Sequence, residues 1–459
     1  MAESYRAVGN ESSHQRKGEC MTVQQSSLRR SARSLRARQD VIVGLDIGTT
    51  KVCVLVAAPD ERSNALTVLG VGTAENAGLA RGIVVNIEKT VRAIEEAVEQ
   101  AEAASGVAVS DVVVGIAGDH VQSFQSRNAI AISGFEREIT AGDLERLLDD
   151  ARTIALPSDR TIVHLFPQDY ILDGQDGIND PIGMSGVRLE ANVHIVTAAR
   201  TAIDNLERCV ERAGLHAADI VLQPVASSLA VLDSAEREVG VALIDIGGGT
   251  TDIAIFDEGV LRHTAMFAIA GNKVTDDIKK GLGIVHAQAE QIKIAYGHAL
   301  QESILDDEVF MIPGINGRKP IEVSKSLLCQ IIQPRMEEIF EFAFAEIRRS
   351  GYARELSAGI VLTGGCAQLR GAAELAERIF GMPVKVGVPS VGLDGGFAPE
   401  VQSPIYATAV GLVLFASQSQ QRRSDMFGMS YRHMQRRQHR SRLGYRTVIE
   451  RIKHFFEHL

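Results

Sequence analysis

The chain has 459 residues, 45% of them hydrophobic and 5% aromatic, with 48 Lys and Arg against 58 Asp and Glu for a net charge of -10. That is enough apolar material for the core of a globular protein of two or three domains, and it excludes a fibrous or disordered chain. The charge is uneven: residues 1–40 carry +4 and residues 416–459 carry +7, leaving -21 between them, which argues against nucleic acid as a partner and puts any attraction to anionic surfaces at the termini.

The five cysteines, Cys20, Cys53, Cys209, Cys329 and Cys366, are odd in number and form no C-x-x-C pair, which points to a reducing compartment and no zinc site. No apolar run approaches the roughly 20 residues of a membrane span. The N-terminus lacks the apolar core of a signal peptide, so the chain is expected in the cytoplasm unless something docks it.

Residues 1–40, rich in Ser, Gln and Arg, read as a disordered basic extension. From Val41 the runs VIVGLDIG, KVCVLVAA and ALTVLGVG predict a three-stranded meander, followed by a helix over 87–105 and a strand at DVVVGIAG. The order recurs in the second half, where 241–269 predicts three more strands, followed by helices and the strand AGIVLTGG. Two such halves imply a duplicated α/β domain with a cleft between the copies. After Phe415 a polar stretch reads as a flexible linker, and helical periodicity returns in the last 17 residues.

The chemistry sits in the turns. Gly48, Thr49, Thr50 and Lys51 after the first strand have the makings of a phosphate grip, because glycine admits close backbone approach and N–H groups and hydroxyls bond phosphate oxygens. Asp46, at the strand end, is placed to hold Mg²⁺ through water. Alone, such a turn is more often than not merely a hairpin. A second copy, Asp245 followed by Gly247, Gly248, Gly249, Thr250 and Thr251, can clamp phosphates from the other side with both aspartates toward one cation. A third element, the strand ending in Gly364 and Gly365, is suited to lie against a nucleoside.

These three elements in this order resemble the actin, Hsp70 and sugar-kinase superfamily. The resemblance implies an actin-like α/β ATPase fold, with two duplicated RNase H-like domains around a nucleotide cleft that binds ATP and Mg²⁺. The segment LQPVASSLA then looks like a connecting helix, with Gln223 where actin-like proteins position the attacking water; a helix-start glutamine facing solvent is the other reading. Asp46 and Asp245 would share the catalytic role with it. SPIYATAVG would be the second connecting helix, its small residues permitting close packing. Glu290 and Lys293, three apart on one helix face, would meet the ribose and adenine, or form a surface ion pair.

Between the first turn and the first connecting helix, HLFPQDY, GINDPIGMSGVRL and ANVHIVTA closely resemble the FtsA family of bacterial cell-division proteins, as do LRHTAMFAIAGNKVTDDI and VLTGGCAQLRG. The similarity spans about 41–415; the 40-residue extension and the AIAG before Asn272 depart from the family pattern. It implies a first actin-like domain at 41–117 and 198–236, an inserted subdomain at 118–197, a second actin-like domain at 237–271 and 330–415 with its subdomain at 272–329, a linker at 416–442 and a terminal helix at 443–459. It further implies an ATP-binding scaffold with at most slow ATPase activity, which forms actin-like protofilaments with itself. Such a scaffold tethers the FtsZ ring to the cytoplasmic face of the inner membrane through the FtsZ C-terminal peptide, and recruits later division proteins. Arg318, Lys319 and Arg335 offer positive charge for that peptide; a solvated loop is the plain alternative. The rival identities are the FtsA-like ATPase of type IV pilus assembly and a small-molecule kinase, for which no substrate-activating aspartate stands out.

The terminal helix is read from its residues. Tyr445, Val448, Ile449, Ile452, Phe455, Phe456 and Leu459 line one face, with charges opposite. At about 1.5 Å per residue the segment is too short to span a bilayer, so it is expected to lie in the interface, aided by Arg440, Arg442, Arg446, Arg451 and Lys453. Docking on the protein's own body is the alternative.

Overall fold

A computed structural model describes residues 41–60, 65–133, 137–314, 319–390 and 401–421. The extension, Arg318 and the whole terminal helix, from Tyr445 to Leu459, lie outside the described residues.

The first half opens with β1 (Ile42–Ile47), β2 (Lys51–Pro59) and β3 (Leu66–Glu75), then a short hairpin of β4 (Leu79–Ala80) and β5 (Ile83–Val84). Helix α1 (Ile87–Ser105) follows, as its periodicity requires, with the Asn86 side chain capping its start and Gly106 closing it at φ 67°. A Cβ at Gly72 would lie 1.9 Å from the Ala97 carbonyl oxygen, so glycine is what lets α1 lie directly on β3. Next come β6 (Asp111–Ile116), then an insertion of β7 (Gln122–Ala131), α2 (Ala141–Arg152), β8 (Arg160–Leu172), β9 (Gln175–Ile178) and β10 (Arg188–Ala199), then α3 (Arg200–Arg212), β11 (His216–Leu222) and α4 (Gln223–Val231).

After α5 (Ser234–Val239), the second half repeats the meander as β12 (Val241–Ile246), β13 (Thr251–Asp257) and β14 (Val260–Phe267). It continues through α6 (Gly271–Leu282), α7 (His286–Tyr296), β15 (Val309–Ile312), β16 (Ile321–Ser324), α8 (Lys325–Ser350), β17 (Ile360–Thr363), α9 (Ala372–Phe380) and β18 (Val384–Val386), and ends with α10 (Ala407–Gln421).

The duplication is visible in the sheets. One runs β3-β2-β1-β6-β11 and the other β14-β13-β12-β17-β18, so each pairs an antiparallel meander with two parallel strands in the same order. The central strands IVGLDI and VALIDI are buried along their whole length, as strands covered on both faces must be. The insertion forms an antiparallel sheet, β7-β10-β8-β9, with a core of its own shared with α2. It docks on the edge strand β14: Gln168 Nε2 donates to the Leu261 and Arg262 carbonyls at 2.8 Å, and Ser123 Oγ to the Thr264 carbonyl at 2.8 Å.

Two expectations change at the C-terminal side. The resemblance assigns residues up to Phe415 to the second domain, yet the helix at 407–421 packs on β1 and α4 of the first half. A Cβ at Gly44 would lie 2.9 Å from the Ala409 carbonyl oxygen, and one at Gly411 would lie 1.8 Å from that of Ala226. The chain therefore crosses back to the first sheet before it ends. The helix also continues to Gln421, past the expected linker start, because Ala416 and Ser417 are still buried and the Ala and Gln around them favour helix. Among the described residues no helix is long and apolar enough to cross a membrane.

Candidate functional site

Each meander turns through the same bond: Gly48 N–H donates to the Lys51 carbonyl at 2.9 Å, and Gly247 N–H to the Thr250 carbonyl at 3.0 Å. The first turn is pinned by buried Asn76, whose Nδ2 donates to the Gly48 carbonyl at 2.8 Å and whose N–H donates to the Thr50 carbonyl at 3.0 Å. The second is pinned by the start of α6, where the N–H groups of Gly271 and Asn272 donate to the Gly247 and Gly248 carbonyls at 3.0 and 2.7 Å.

The two turns meet tip to tip. A Cβ at Gly248 would lie 2.4 Å from Thr50 Cγ2, and one at Gly249 would lie 2.2 Å from Thr49 Oγ1. Glycines on one side thus accept the threonines of the other, which no larger residue could do. Lys51 reaches the end of the second half, donating from Nζ to the Ile405 carbonyl at 2.6 Å and lying 4.7 Å from the centroid of the Tyr406 ring.

Asp46 and Asp245 are both buried at the base of these turns. Burial pushes the Asp46 carboxyl up to about 6, with Lys51 opposing and Asp245 adding to the rise. Gln223, the first residue of α4, donates from Nε2 to Asp46 Oδ1 at 3.0 Å, so its amide is engaged with the carboxylate and does not simply face solvent. Burial also raises Asp245, against the hydroxyls of Ser227, at 2.7 Å from its Oδ2, and Thr408, at 3.4 Å. Those hydroxyls come from α4 and α10, the two helices that cross between the halves.

A third acid belongs to the group. Asp252, on β13 directly across from Asp245, is buried and raised well above its ordinary value, by burial first and then by Asp245. Its Oδ2 accepts from Thr250 Oγ1 at 3.1 Å, while its Oδ1 is a buried oxygen without a hydrogen-bond partner.

On the far side of the second turn, Glu290 and Lys293 form the ion pair at 2.8 Å that their spacing allows. It is half-buried: Lys293 Nζ also donates to Thr275 Oγ1 at 3.0 Å and to the Gly271 carbonyl at 3.4 Å, and Thr275 Oγ1 donates to Glu290. The pair is therefore tied to the helix start that pins the turn. Gly364 turns at φ 83°, where a Cβ would strike Asp245 Oδ1 at 2.4 Å, and at Gly365 a Cβ would meet nothing nearer than Ile405 Cγ2 at 4.0 Å. Thr251 faces inward and donates to the Ile269 carbonyl at 2.7 Å. The structure thus gathers every cleft residue expected from sequence around one pair of turns. Of the basic residues, Arg318 lies outside the described residues, Lys319 is exposed, and Arg335, on α8, is already paired with Asp277 at 2.6 Å and with Glu338.

Sequence reasoning missed Asn76, Ser227, Asp252 and Thr408. Asp252 carried a signal, an acid inside the otherwise apolar run TDIAIF, and Asn76 carried another in its Asn-Ala-Gly turn. Ser227 and Thr408 carried none, because only the crossing of two helices far apart in sequence brings them to one oxygen.

For magnesium the donor chemistry fits. The ion keeps much of its water and takes one or two carboxylates besides phosphate oxygens, which Asp46, Asp245 and the partnerless oxygen of Asp252 can supply. Among the described residues no cluster of three or more metal-ligating side chains forms, so the carboxylates would act together with phosphate and water.

Comparison with known proteins adds the following. Residues 242–411 match the family model for cell division protein FtsA, and residues 118–197 match that for the SHS2 domain inserted in FtsA. Cell division protein FtsA of Pseudomonas aeruginosa is 47% identical over 391 residues, covering 85% of this chain and 92% of that protein. Among solved structures, the PilM-PilN type IV pilus biogenesis complex superposes with a TM-score of 0.57 at 17% identity, over 82% of this chain and 98% of that one. MreB5 of Spiroplasma citri bound to ADP gives 0.52 at 16% identity, over 84% and 99%. At these identities the structural likenesses speak for the shared actin-like fold alone.

Proposed function

The chain belongs to the FtsA family of cell-division proteins, and from that membership we propose that it is an ATP-binding scaffold that anchors the FtsZ ring to the cytoplasmic face of the inner membrane at the division septum. The observation that carries the nucleotide part is the meeting of the two turns, Thr49 and Thr50 against Gly248 and Gly249, over three buried carboxylates. In this reading Gly48, Thr49, Thr50, Lys51 and Gly247 to Thr251 hold the phosphates, Asp46 and Asp245 hold Mg²⁺ through water, and Gly364, Gly365, Glu290 and Lys293 border the nucleoside. Gln223 orients water toward the γ-phosphate. Bound nucleotide in the MreB5 neighbour is in keeping with this use of the fold.

Self-association as an actin-like protofilament, with the 118–197 subdomain also recruiting later division proteins, follows from the same membership. The last helix supplies the membrane contact through Tyr445, Val448, Ile449, Ile452, Phe455, Phe456 and Leu459, and the basic residues beside it add attraction to anionic lipid, on the order of 1 kcal/mol per charge. The FtsZ C-terminal peptide docks on the second half, for which Lys319 and Arg318 remain candidate cations. Arg335 is a weaker one, since its charge is already met by Asp277. The pilus-assembly reading has only the shared fold behind it, and a kinase would need a substrate-activating carboxylate, a role to which none of the cleft acids is assigned.

One flotation experiment tests the reading. Full-length protein with Mg·ATP, anionic vesicles and labelled FtsZ C-terminal peptide should rise together, and Ile452→Glu with Phe456→Glu should leave both at the bottom. A peptide that stays behind while the protein floats overturns the FtsZ tether, and a doubly substituted protein that still floats overturns the helix anchor.

A further inference from the structure

Beyond β6 the chain turns through Ala117-Gly118-Asp119-His120. Gly118 has φ 137°, and a Cβ there would lie 2.7 Å from His120 Nδ1, so the glycine is what lets the imidazole fold back against its own turn. Arg160 fixes the backbone by donating to the His120 carbonyl at 3.0 Å. Both ring nitrogens, Nδ1 and Nε2, are buried and have no hydrogen-bond partner among the described residues.

A neutral imidazole carries one donor and one acceptor, and leaving either buried and unmet destabilises the fold. Such a pair of orphaned atoms in a folded protein calls for a ligand or a water. The ring borders a cavity of about 30 Å³ whose other walls include Gly48 and Thr49 of the first turn, Thr250 of the second, Gly115 and Gln223. That is room enough for at least one water. Gln223 spends Nε2 on Asp46, and that bond does not use its Oε1. Burial holds the imidazole down at about 4, with Asp119 opposing and Arg160 assisting, so near neutral pH one ring nitrogen accepts and the other donates.

We propose that His120 is a positioning residue for ATP hydrolysis, holding the attacking water with Gln223 in the small cavity bordered by both phosphate turns. This deepens the nucleotide reading and rests on it. In the step, the water oxygen bonds to the γ-phosphorus, and the bond from that phosphorus to the bridging oxygen breaks with its electron pair staying on ADP. The new phosphate keeps one of the water's protons and the other passes to solvent. His120 only accepts a hydrogen bond, which fixes the water's lone pair toward phosphorus, and ends the step neutral.

The test compares full-length wild type with His120→Phe, which fills the space without nitrogens, and His120→Asn, which restores a polar group. Fluorescent ATP should bind all three within about twofold, whereas single-turnover hydrolysis should fall roughly 100-fold in the Phe variant and recover in part in the Asn variant. In wild type labelled with ¹⁵N-histidine, the His120 ring resonances should stay put on adding Mg·ADP and move when aluminium fluoride completes the phosphate. Should the Phe variant fail to fold, the Asn variant and these resonances decide. An unchanged rate, resonances that do not respond, or wild type that binds ATP without hydrolysing it overturns the inference and leaves the nucleotide reading intact. Wild type that binds no ATP sinks the nucleotide reading itself.

Discussion

At the register position that follows each turn, the first hairpin sets Cys53 across from Asp46, and the second sets Asp252 across from Asp245. The backbone is the same in both copies, down to the bond that closes each turn, but the chemistry is divided. Both turns carry two threonines, but the first brings an ammonium and a single acid, and the second brings three glycines and two acids. The glycines make room for the threonines, so the pair fits only as a pair. The division also concentrates negative charge: burial raises all three carboxyls, and Asp245 contributes to the rise of both Asp46 and Asp252. A cation brought among them would favour their charged forms, which is how a duplicated fold can become a one-sided ion site.

The strongest way to break the comparison is to exchange the opposed residues. Cys53 is fully buried, and burial pushes its thiol up to about 12. A carboxyl in that place would be desolvated beside Asp46, with no hydroxyl comparable to Thr250 to bond it, and would have to take up a proton or stay an unpaired buried charge. Cys53→Asp should therefore cost on the order of 3–5 kcal/mol, read as a fall in the urea midpoint at pH 7.5. Asp252→Cys should move the midpoint the other way while weakening Mg²⁺-dependent nucleotide binding. Equal, small shifts in both would mean that the register position carries no such asymmetry.

A smaller effect, with a distinctive pH signature, comes from Asp46. Its folded value of about 6 lies above the ordinary 3.8, so the folded state holds this proton more tightly than the unfolded chain does. The resulting stability is fully present below about pH 4 and lost as pH rises through 6. Two pH units correspond to about 3 kcal/mol, so Asp46→Asn, which keeps an acceptor for Gln223, should be more stable than wild type at pH 7.5 by about 2–3 kcal/mol. It should also show a shallower decline in Tm between pH 4 and 7, with Asp245 and Asp252 supplying the slope that remains. A Tm difference that does not change with pH would show that Asp46 is not the group being titrated. The same variant should lose Mg²⁺-dependent ATP affinity, separating what the carboxylate costs the fold from what it does for the ligand.

How far the sequence reached follows the same division between local and crossing features. The meanders, α1 and the doubled turns were legible because strand runs and glycine turns are encoded within a dozen residues, and repetition in the second half turned a weak motif into a strong one. The packing of α10 on the first sheet was not, since nothing in ATAVGLVLF says which of two similar sheets will receive it. Gly411 against Ala226 is a contact only the folded crossing reveals. Gln223 was placed correctly at a helix start, but its bond to Asp46 depends on β1, far earlier in the chain. His120 was passed over because a histidine after a strand has many ordinary uses, and only the orphaned state of both ring nitrogens sets it apart.

The smallest expected effect sharpens the difference in how the paired aspartates are held. Asp46 has an amide from one helix, whereas Asp245 has hydroxyls from both crossing helices, Ser227 at 2.7 Å and Thr408 at 3.4 Å. Ser227→Ala removes the shorter bond from a buried acid and should raise the Asp245 carboxyl further, costing about 1–3 kcal/mol near neutral pH. Thr408→Val should cost less, because its bond is longer. The two hydroxyls also bond each other at 3.0 Å, so removing both should cost less than the sum of the single losses. Denaturant midpoints of the two single variants and the double measure that coupling. A strictly additive result would mean that the two helices hold Asp245 independently. A shortfall means that the carboxylate senses their crossing as one element, and that a shift of α10, the last described helix before the proposed membrane anchor, would be felt at the second phosphate turn.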